Sequence, residues 1–342
     1  MTGAAVDTRN DGERPPESTG DADTLEQRPD RHGRDWADWT RRNGVYIALV
    51  ALLVLNVLVT DNFVNERVLR LQLIQVAPVV IVALGMALVI GTEGIDLSVG
   101  AVMALSAAVI PLYVGYGAPL AILMGLACGV VTGVIAGVLV AKVGVQPIVA
   151  TLGIMVAGRG VANLVGGEIK TIRDADIVYI GSEGIGQVPY TVLTALVLAL
   201  IVAFVVRKTT YGRQLIAVGG NKRAAGLAGI PVNRVLVITY VICGLLAAIA
   251  GVLLAARSQA SDPTKLGLLM ELSAITAVVV GGTPLSGGQV RILGTVAGAL
   301  VMQLITATLI FHNISDSTAQ MIQAGIVIAA VYIQIGRRRD GV

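Results

Sequence analysis

The sequence predicts an all-α polytopic membrane protein of about ten transmembrane helices, some of them broken, with both termini in the cytosol. Hydrophobic residues make up 55% of the 342-residue chain and charged residues only 14%, whereas about a quarter of the residues in soluble domains are charged. The charge is also uneven, because ten of the 22 acids and seven of the 25 bases precede Gly44. From Gly44 onward the sequence is therefore typical of a chain that crosses a bilayer many times.

Two polar segments flank the apolar part. Residues 1–43 have the charged, proline- and glycine-containing composition of a disordered cytosolic tail, and no short apolar core with a cleavage site predicts a signal peptide. Trp36 and Trp39 stand beside arginines near the end of this tail, which indicates an interfacial anchor on the cytosolic face. Residues 337–342 form a short basic cytosolic C-terminus.

Residues 44–336 form the predicted transmembrane domain. A spanning helix needs roughly 20 apolar residues, and Gly-rich breaks interrupt the third and eighth of the ten candidate runs. The runs are 44–60, 72–91, 97–115, 118–141, 145–166, 188–206, 233–256, 269–283, 291–311 and 317–336.

Basic residues in short loops predict the orientation. With the N-terminal tail inside, Lys142, the loop 207–232 and the terminal arginines 337–339 all lie on the cytosolic side. The same alternation places the loop 167–187 outside, where four acids stand against two bases.

The stretch "GTEGIDLS", residues 91–98, puts two carboxylates and two glycines between apolar runs. A charge at the bilayer centre costs about 2.5–3.5 kcal/mol on insertion scales. The glycines permit unusual backbone angles, and Asp96 or Ser98 is suited to capping the next helix. Two interpretations stay open: a tight cytosolic turn, or a broken helix that lines a water-filled path with Glu93, Gly94, Asp96 and Ser98.

Other polar residues fall within apolar runs. Arg159 lies in the outer part of its span, where it either snorkels to the interface or serves as a path, gate or interhelical residue, paired with an acid such as Glu271. Asn163 and Gln303 have two possible roles, hydrogen bonding between helices or contact with a solute in the path. Packing is the favoured role for both.

Glycine patterns carry two further predictions. Gly125, Gly129, Gly133 and Gly137 recur every fourth residue, a spacing that lets another backbone approach one helix face closely. The stretches "ALVIGTEGIDLSVGAVMAL" and "AVVVGGTPLSGGQVRILGTVAGAL" suggest a faint internal repeat, as is common in transporters built around broken helices.

The stretch "GGNKRAAGLAGIP" in loop 207–232 predicts a short helix. Asn221 is the expected N-cap, Lys222 to Ala228 the body, and Gly229 the C-terminal stop ahead of Pro231. Lys222 in the first turn opposes the helix dipole, a cost of some tenths of a kcal/mol that an acidic partner surface could offset. The loop is either a coupling element or an ordinary positive-inside loop whose helix lies on the membrane.

Four stretches together carry a family resemblance: "GIDLSVGAVMAL", "QPIVATLGIMVAGRGVANLVGG", "TTYGRQLIAVGGNKRAAGLAGIPVNRV" and "VVVGGTPLSGGQVRILGTVAGALV". In this order they resemble the permease subunits of bacterial ABC importers for monosaccharides of the ribose, arabinose, xylose and galactofuranose type. The likeness covers nearly all of 44–336. One departure is Glu93, because the family commonly has Gly-Gly-Ile-Asp where this chain has Glu93-Gly94-Ile95-Asp96.

The resemblance implies a multi-pass permease of the bacterial cell membrane, which passes a pentose or hexose into the cytosol. It implies a separate ABC ATPase subunit that uses ATP and magnesium, an extracytoplasmic sugar-binding protein and a second permease copy. It also implies that the short cytosolic helix couples the chain to the ATPase, through Asn221, Lys222, Arg223, Ala224, Ala225, Gly226, Leu227 and Gly229.

The chain itself is predicted to be a transport subunit and not an enzyme. It has no Walker A phosphate loop, no cluster of metal ligands and no nucleophile–base arrangement, so no cofactor is expected to bind. Its basic residues lie at segment ends and form no continuous patch, so no nucleic acid is expected as a partner. Two rival functions stay open: a related ABC permease for nucleosides or branched-chain amino acids, and an ion-coupled secondary transporter that needs no motor.

Overall fold

The computed structural model describes residues 31–60 and 63–314, with residues 318, 321, 322, 324, 325 and 328 further on; side chains are described from residue 43. The predicted tail up to residue 30, the tryptophan side chains of the predicted anchor, most of the predicted span 317–336 and the basic C-terminus lie outside the described residues. The transmembrane helices belong to one compact unit that begins at Arg42.

Twelve α-helices form within residues 31–60 and 63–314. They are α1 (Arg31–Val59), α2 (Glu66–Gly91), α3 (Val99–Tyr113), α4 (Ala118–Val138), α5 (Pro147–Gly166), α6 (Ala175–Ser182), α7 (Tyr190–Lys208), α8 (Thr210–Gly220), α9 (Lys222–Leu227), α10 (Val232–Ser258), α11 (Met270–Val280) and α12 (Ile292–Phe311). A 3₁₀ turn (Val114–Tyr116) extends α3, and a π-helical turn (Leu139–Val143) extends α4.

Two small antiparallel pairs of strands complete the described part. Strand β1 (Lys170–Thr171) pairs with β4 (Ala260–Ser261), and β2 (Gly184–Ile185) pairs with β3 (Val188–Pro189). The predicted outer loop 167–187 is therefore folded, and its helix α6 is capped by Asp174, whose side chain accepts from the backbone N–H groups of Asp176 and Ile177.

The polytopic helical class that the sequence predicts is confirmed. Seven helices of the described part are long and apolar enough to cross a membrane, and Asn43–Val59 and α11 are shorter apolar helices. Nine of the ten predicted runs coincide with a helix, although α1 begins at Arg31, well before the predicted start at residue 44. The total of about ten spans and the cytosolic location of both termini stay predictions.

Helix α10 is central to the packing, since it lies against α2, α3 and α4. Both α2 and α10 are apolar on all sides, as expected for helices surrounded by protein, and 78% of the most apolar stretch of α2 is buried. By contrast α5 packs mainly on α3 and has only 17% of its apolar stretch buried. The unit thus has a protein-covered centre and an open flank at α5.

The glycine stripe on α4 meets the backbone of α10, as predicted. A Cβ atom at Gly133 would come within 2.6 Å of the Tyr240 carbonyl oxygen, and one at Gly137 within 2.8 Å of Val237 Cα. At Gly129 it would overlap the carbonyl oxygen of Gly244. Small residues are common at such helix contacts in membranes, because dispersion contacts grow as backbones approach.

The two glycine-rich stretches of the suggested internal repeat are alike in amino-acid composition, but the helices that flank them pack differently. Helices α11 and α12 form a packed hairpin, with Gly281 against Gly294. Helices α2 and α3 do not pair in this way, and α10 packs along both of them. The two interpretations of residues 91–98, a tight cytosolic turn and a broken helix that lines a path, both stay predictions.

Amide and hydroxyl side chains connect helices inside the unit. Gln303 on α12 donates from Nε2 to the Oε1 atoms of Gln72 and Gln75 on α2, at 2.7 and 2.8 Å. On the other side of α12, the Thr308 hydroxyl donates to Asn56 Oδ1 at 2.8 Å. The prediction that Gln303 binds helices together is confirmed.

Replacing Gly129 by alanine tests the α4–α10 contact. The new methyl group must push α4 away from α10, and overpacking of this kind typically costs about 1–3 kcal/mol. We expect the thermal unfolding temperature in detergent to fall. The control is Gly44→Ala on α1, where an added Cβ meets no atom within 4 Å; equal unfolding temperatures for both variants would contradict the packing argument.

Candidate functional site

The segment between α2 and α3, residues 92–98, is irregular and mostly buried. Helix α2 ends in a turn in which the backbone N–H groups of Thr92 and Gly94 both donate to the carbonyl oxygen of Val89. Glu93, between them, has φ 64°, a left-handed conformation that glycine adopts at lower cost than other residues. The helix therefore stops at a geometrically defined point, and the chain continues without helical hydrogen bonds.

Asp96 and Ser98 face each other inside this segment. The Asp96 side chain is 1% exposed, and its Oδ1 accepts from the Ser98 backbone N–H at 2.9 Å and from the Ser98 hydroxyl at 2.6 Å. Ser98 occupies the N-cap position of α3 but makes no side-chain cap bond. The prediction that Asp96 or Ser98 caps α3 is confirmed for Asp96, whose carboxylate accepts the Ser98 backbone N–H where helical backbone begins. It is wrong for Ser98, because the Ser98 hydroxyl is used as a donor to that carboxylate.

Thr151 on α5 holds the same segment from the opposite side. Its hydroxyl oxygen accepts from the Leu97 backbone N–H at 3.1 Å and lies 3.2 Å from the carbonyl oxygen of Ile95. Backbone groups that are buried outside a helix need such partners. The Thr151 hydroxyl thus connects the backbone at Leu97 to α5; as a donor it lies closer to the Pro147 carbonyl oxygen of its own helix, at 2.9 Å, than to that of Ile95.

Two residues of α10 form the floor beneath the segment. The Tyr240 hydroxyl is buried, makes no hydrogen bond to any described residue, and would lie 2.7 Å from a Cβ atom at Gly94. The thiol of Cys243 lies beside the Asp96 carboxylate. Gly94 is therefore required by the position of Tyr240, and Asp96 is enclosed by α10 in this conformation.

A second irregular segment, residues 262–269, depends on Arg159. The guanidinium group donates to the carbonyl oxygens of Pro263, Leu266 and Gly267, at 3.2, 2.7 and 3.3 Å. This arginine joins α5 to the segment before α11 through backbone carbonyl groups. Its predicted role as a path or gate residue stays a prediction. Glu271 is close enough to interact with it electrostatically.

Asn163 is exposed on the open flank of α5, beside Leu164, which is 86% exposed. Asn163 lies about 18 Å further along α5 than Thr151, the residue of this helix that contacts the segment 92–98, so the structure separates it from Asp96 and Ser98. Glu93 is also separate from these two residues, because its side chain is 57% exposed. Of the residues predicted for the path, only Gly94, Asp96 and Ser98 cluster together.

The short cytosolic helix predicted from loop 207–232 is present as α9. The Asn221 side chain caps it by accepting from the Ala224 backbone N–H at 2.9 Å. Gly229, with φ 81°, follows its C-terminal end. Ala225 is buried, whereas Leu227 is 85% exposed. Helix α9 thus presents an apolar side chain to the surroundings on a rigid, capped turn.

We call two segments the helix breaks, residues 92–98 after α2 and residues 281–291 between α11 and α12. The end of α8, directly before α9, touches the start of the first and part of the second at a contact we call the glycine junction, formed by Gly91, Gly219, Gly287 and Gly288. The Gly288 N–H donates to the Gly91 carbonyl oxygen at 3.0 Å. A Cβ atom at Gly219 would overlap that same oxygen. Backbone therefore meets backbone where residues 92–98, α9 and residues 281–291 converge.

An ion pair lies beside the glycine junction. Lys222 Nζ, in the first turn of α9, is 3.7 Å from Glu93 Oε2. The unfavourable interaction of Lys222 with the helix dipole is therefore offset within the chain by Glu93, the residue whose role the sequence left open.

A surface groove of about 650 Å³ runs beside α9, where the chain enters α10. Apolar residues of α10, Val237 and Ile238 among them, form part of its wall, and Lys142 and Arg234 contribute its positive charge. It lies at the same end of the unit as α9.

At the end of the unit opposite α9, the hydroxyl of Thr264 donates a hydrogen bond to Asp262, and this bond lowers the pKa of the Asp262 carboxyl group.

Sequence reasoning missed three contributors to this arrangement: Thr151, Tyr240 and the irregular segment 262–269. Thr151 was visible as a hydroxyl residue within an apolar run, but nothing in the sequence indicates which backbone it reaches. The segment 262–269 contains Pro263 and Gly267, a signal for irregular structure. Its dependence on an arginine about a hundred residues earlier is a product of the tertiary fold.

Replacing Thr151 tests its hold on the segment 92–98. Thr151→Val keeps the side-chain shape but leaves the buried Leu97 N–H without its partner, which typically costs about 1–3 kcal/mol. We expect a lower unfolding temperature in detergent for this variant. Thr151→Ser keeps the hydroxyl group and is the control; an equal loss in both variants would show that the methyl group, and not the hydrogen bond, matters.

Comparison with known proteins agrees with this architecture. The family described as "Branched-chain amino acid transport system / permease component" matches residues 69–331. The chain is 40% identical to the galactofuranose transporter permease protein of Escherichia coli K12 over 76% of this chain and 77% of the relative. It is 37% identical to the ribose import permease protein of the same organism over 86% of this chain and 94% of the relative.

A more distant relative is the L-arabinose ABC transporter permease protein of Azospirillum brasilense, with 31% identity over 87% of this chain and 89% of the relative. No solved structure matches the chain. The resemblance found in the four sequence stretches is confirmed, and the seven apolar helices agree with a multi-pass inner-membrane protein. The chain belongs to the family of transport-system permease components.

Proposed function

We propose that this chain is the transmembrane permease subunit of an ATP-binding-cassette importer, which passes a pentose or hexose into the cytosol. An extracytoplasmic solute-binding protein delivers the sugar, and a separate ATPase subunit drives the cycle. The observation that carries this proposal is α9, a capped helix with an exposed leucine, whose Lys222 lies beside Glu93 and which directly follows the end of α8 that contacts Gly91. Relatives named for the transport of galactofuranose, ribose and arabinose support a sugar as cargo.

Helix α9 is suited to docking on an ATPase. Buried Ala225 fixes its inner face, while Lys222, Arg223, Ala224, Gly226 and Leu227 remain at least partly accessible. The Leu227 side chain exposes apolar surface to water, and a partner that covers this surface gains the favourable free energy of burying it. The groove beside α9 extends the surface available to such a partner. Hydrolysis of ATP with magnesium takes place on that partner in this proposal.

The described charges favour a neutral solute over a charged amino acid. Arg159 directs its hydrogen bonds to three backbone carbonyl groups, and Glu93 lies beside Lys222 at the surface. Neither is free to act as a counter-charge inside a path. Asp96 is enclosed between Ser98 and α10. A sugar needs no fixed counter-charge, so Gly94, Asp96 and Ser98 shape the path by holding the break in α2–α3.

A second copy of the chain completes the proposed importer at the open flank of α5. This helix packs mainly against α3, and its outer face combines small residues, Gly153 and Gly160, with exposed Asn163. Small residues let a partner helix approach, and an amide can hydrogen bond across such a contact. The proposed position puts Asn163 near the subunit boundary, where a central path between two copies would run.

The proposed orientation places α9 in the cytosol. It precedes the N-terminal end of α10, while α6 packs near the C-terminal end, with Gly181 against Ala256. A helix of 27 residues is about 40 Å long, enough to separate these two elements by a bilayer. The basic residues around α9 favour the cytosol, and the folded loop 167–187 is then the docking face for the binding protein.

The combined substitution of Lys222, Arg223 and Leu227 by alanine tests the coupling role. The variant loses the exposed part of α9 but keeps the Asn221 cap and the buried Ala225, so we expect normal insertion and loss of ATPase co-purification. The control is Arg207→Ala with Lys208→Ala, which removes two cations from the end of α7. Co-purification at the normal level in the triple variant would refute the assignment of α9.

Uptake in proteoliposomes tests the function as a whole. The cognate ATPase subunit and binding protein are added or omitted, and a panel of pentoses and hexoses serves as cargo, with a nucleoside and leucine for the rival ABC permeases. We expect uptake of a sugar that needs both partners and ATP on the ATPase side. Uptake by this chain alone, driven by a proton or sodium gradient, would instead establish a secondary transporter.

A further inference from the structure

We infer that the glycine junction joins α9 mechanically to both helix breaks, so that the end of α8, α9, residues 91–94 and residues 287–288 move as one body during transport. Glu93 tethers this body at the surface through Lys222. The inference rests on the proposed function, since it states where the movement that an ATPase imposes on α9 is delivered.

The tightest contact is between Gly219 and the end of α2. Gly219 lies in α8, two residues before the Asn221 cap of α9, and it is buried. A Cβ atom there would overlap the Gly91 carbonyl oxygen and lie 2.6 Å from the Gly288 N atom. No side chain separates the three backbones at this point, so a displacement of α8 is transmitted without a soft intermediate.

The loop between α11 and α12 closes the contact from the other side. Gly287 and Gly288 both have positive φ, 73° and 75°, a conformation that brings their N–H groups and Cα atoms towards α8 and α2. Gly288 donates to the Gly91 carbonyl oxygen at 3.0 Å. A Cβ atom at Gly287 would lie 2.7 Å from the Gly219 carbonyl oxygen and 2.9 Å from the Glu93 N atom.

Glu93 adds a charge where the family commonly has glycine. The residue keeps the left-handed backbone conformation, with φ 64°, which costs a residue other than glycine roughly 1–2 kcal/mol. Its carboxylate is placed beside Lys222, the first residue of α9. Glu93 is therefore assigned as a positioning residue between α9 and the segment that holds Asp96, outside the path itself.

Two neighbouring glycines provide a matched pair of variants. In Gly219→Ala the methyl group must force the junction apart, whereas an added Cβ at Gly220 meets nothing within 4 Å. Both substitutions raise helix propensity equally. We expect Gly219→Ala to lower ATP-dependent uptake about ten-fold or more relative to Gly220→Ala, with ATPase co-purification retained, since the outer face of α9 is unchanged.

Cross-linking tests whether the body moves as one. Cysteines replace Glu93 and Lys222 in a chain with Cys128→Ala, and a short bifunctional maleimide joins them; Cys243 is buried and is left in place. We expect the cross-linked permease to keep the ATP-dependent uptake of the singly modified variants, because a link within a rigid body restrains nothing. Loss of uptake on cross-linking, with the single variants active, would overturn the inference.

The charge pair has a smaller expected effect. A partly exposed ion pair contributes little, so Glu93→Gln, which leaves Lys222 and the exposed face of α9 unchanged, is expected to lower the sugar transported per ATP hydrolysed about two- to five-fold. Glu93→Asp keeps the charge and is the control, with a smaller loss expected. An unchanged ratio in Glu93→Gln would remove Glu93 from the junction.

These outcomes separate the inference from the proposed function. If the unaltered chain neither binds the ATPase nor shows ATP-dependent uptake, the proposed function fails. If it does both and Gly219→Ala, properly folded by its unfolding temperature, transports as well as Gly220→Ala, the glycine junction is not the route of coupling and only the inference fails.

Discussion

The structure depends on one constraint, that backbone which leaves a helix inside a membrane protein must find hydrogen-bond partners in the protein itself. The segment 92–98 obtains them from Thr151, from the Asp96 side chain and from the turn at Val89. The segment 262–269 obtains three from Arg159. Polar residues that look anomalous in an apolar sequence are thus explained by the irregular backbone they support.

Glycine serves two different purposes in this chain. On α4 it lets one regular helix lie against another, and the regular spacing of four residues follows from the helical period. At the glycine junction it lets the ends of irregular segments meet, and two of the four glycines there have positive φ. The first arrangement fixes the position of α10 among its neighbours. The second places the end of α8, and with it α9, against the helix breaks. Packing between regular helices within the spans would not produce this contact.

The sequence predicted the apolar helices, the α4 stripe and the α9 cap well, because each depends on local spacing or on residues within one turn. It failed where distant segments meet. Of the two capping roles considered, only that of Ser98 was wrong, since local chemistry could not show that the Ser98 hydroxyl donates to Asp96. Glu93 was grouped with Asp96 because they are close in sequence. The left-handed turn at Glu93 instead directs its side chain to the surface, towards Lys222.

The use of charge within the unit bears on how the proposed importer selects its cargo. Arg159 neutralises backbone dipoles, and Asp96 binds Ser98, so both of these polar groups are committed before a solute arrives. The Tyr240 hydroxyl and Glu271 Oε2 are buried without a hydrogen-bond partner among the described residues, so some polar groups remain that a solute could use. Specificity requires groups that are left unpaired by the wrong ligand. The fewer such groups the path offers, the more of the selection passes to the extracytoplasmic binding protein of the proposed function.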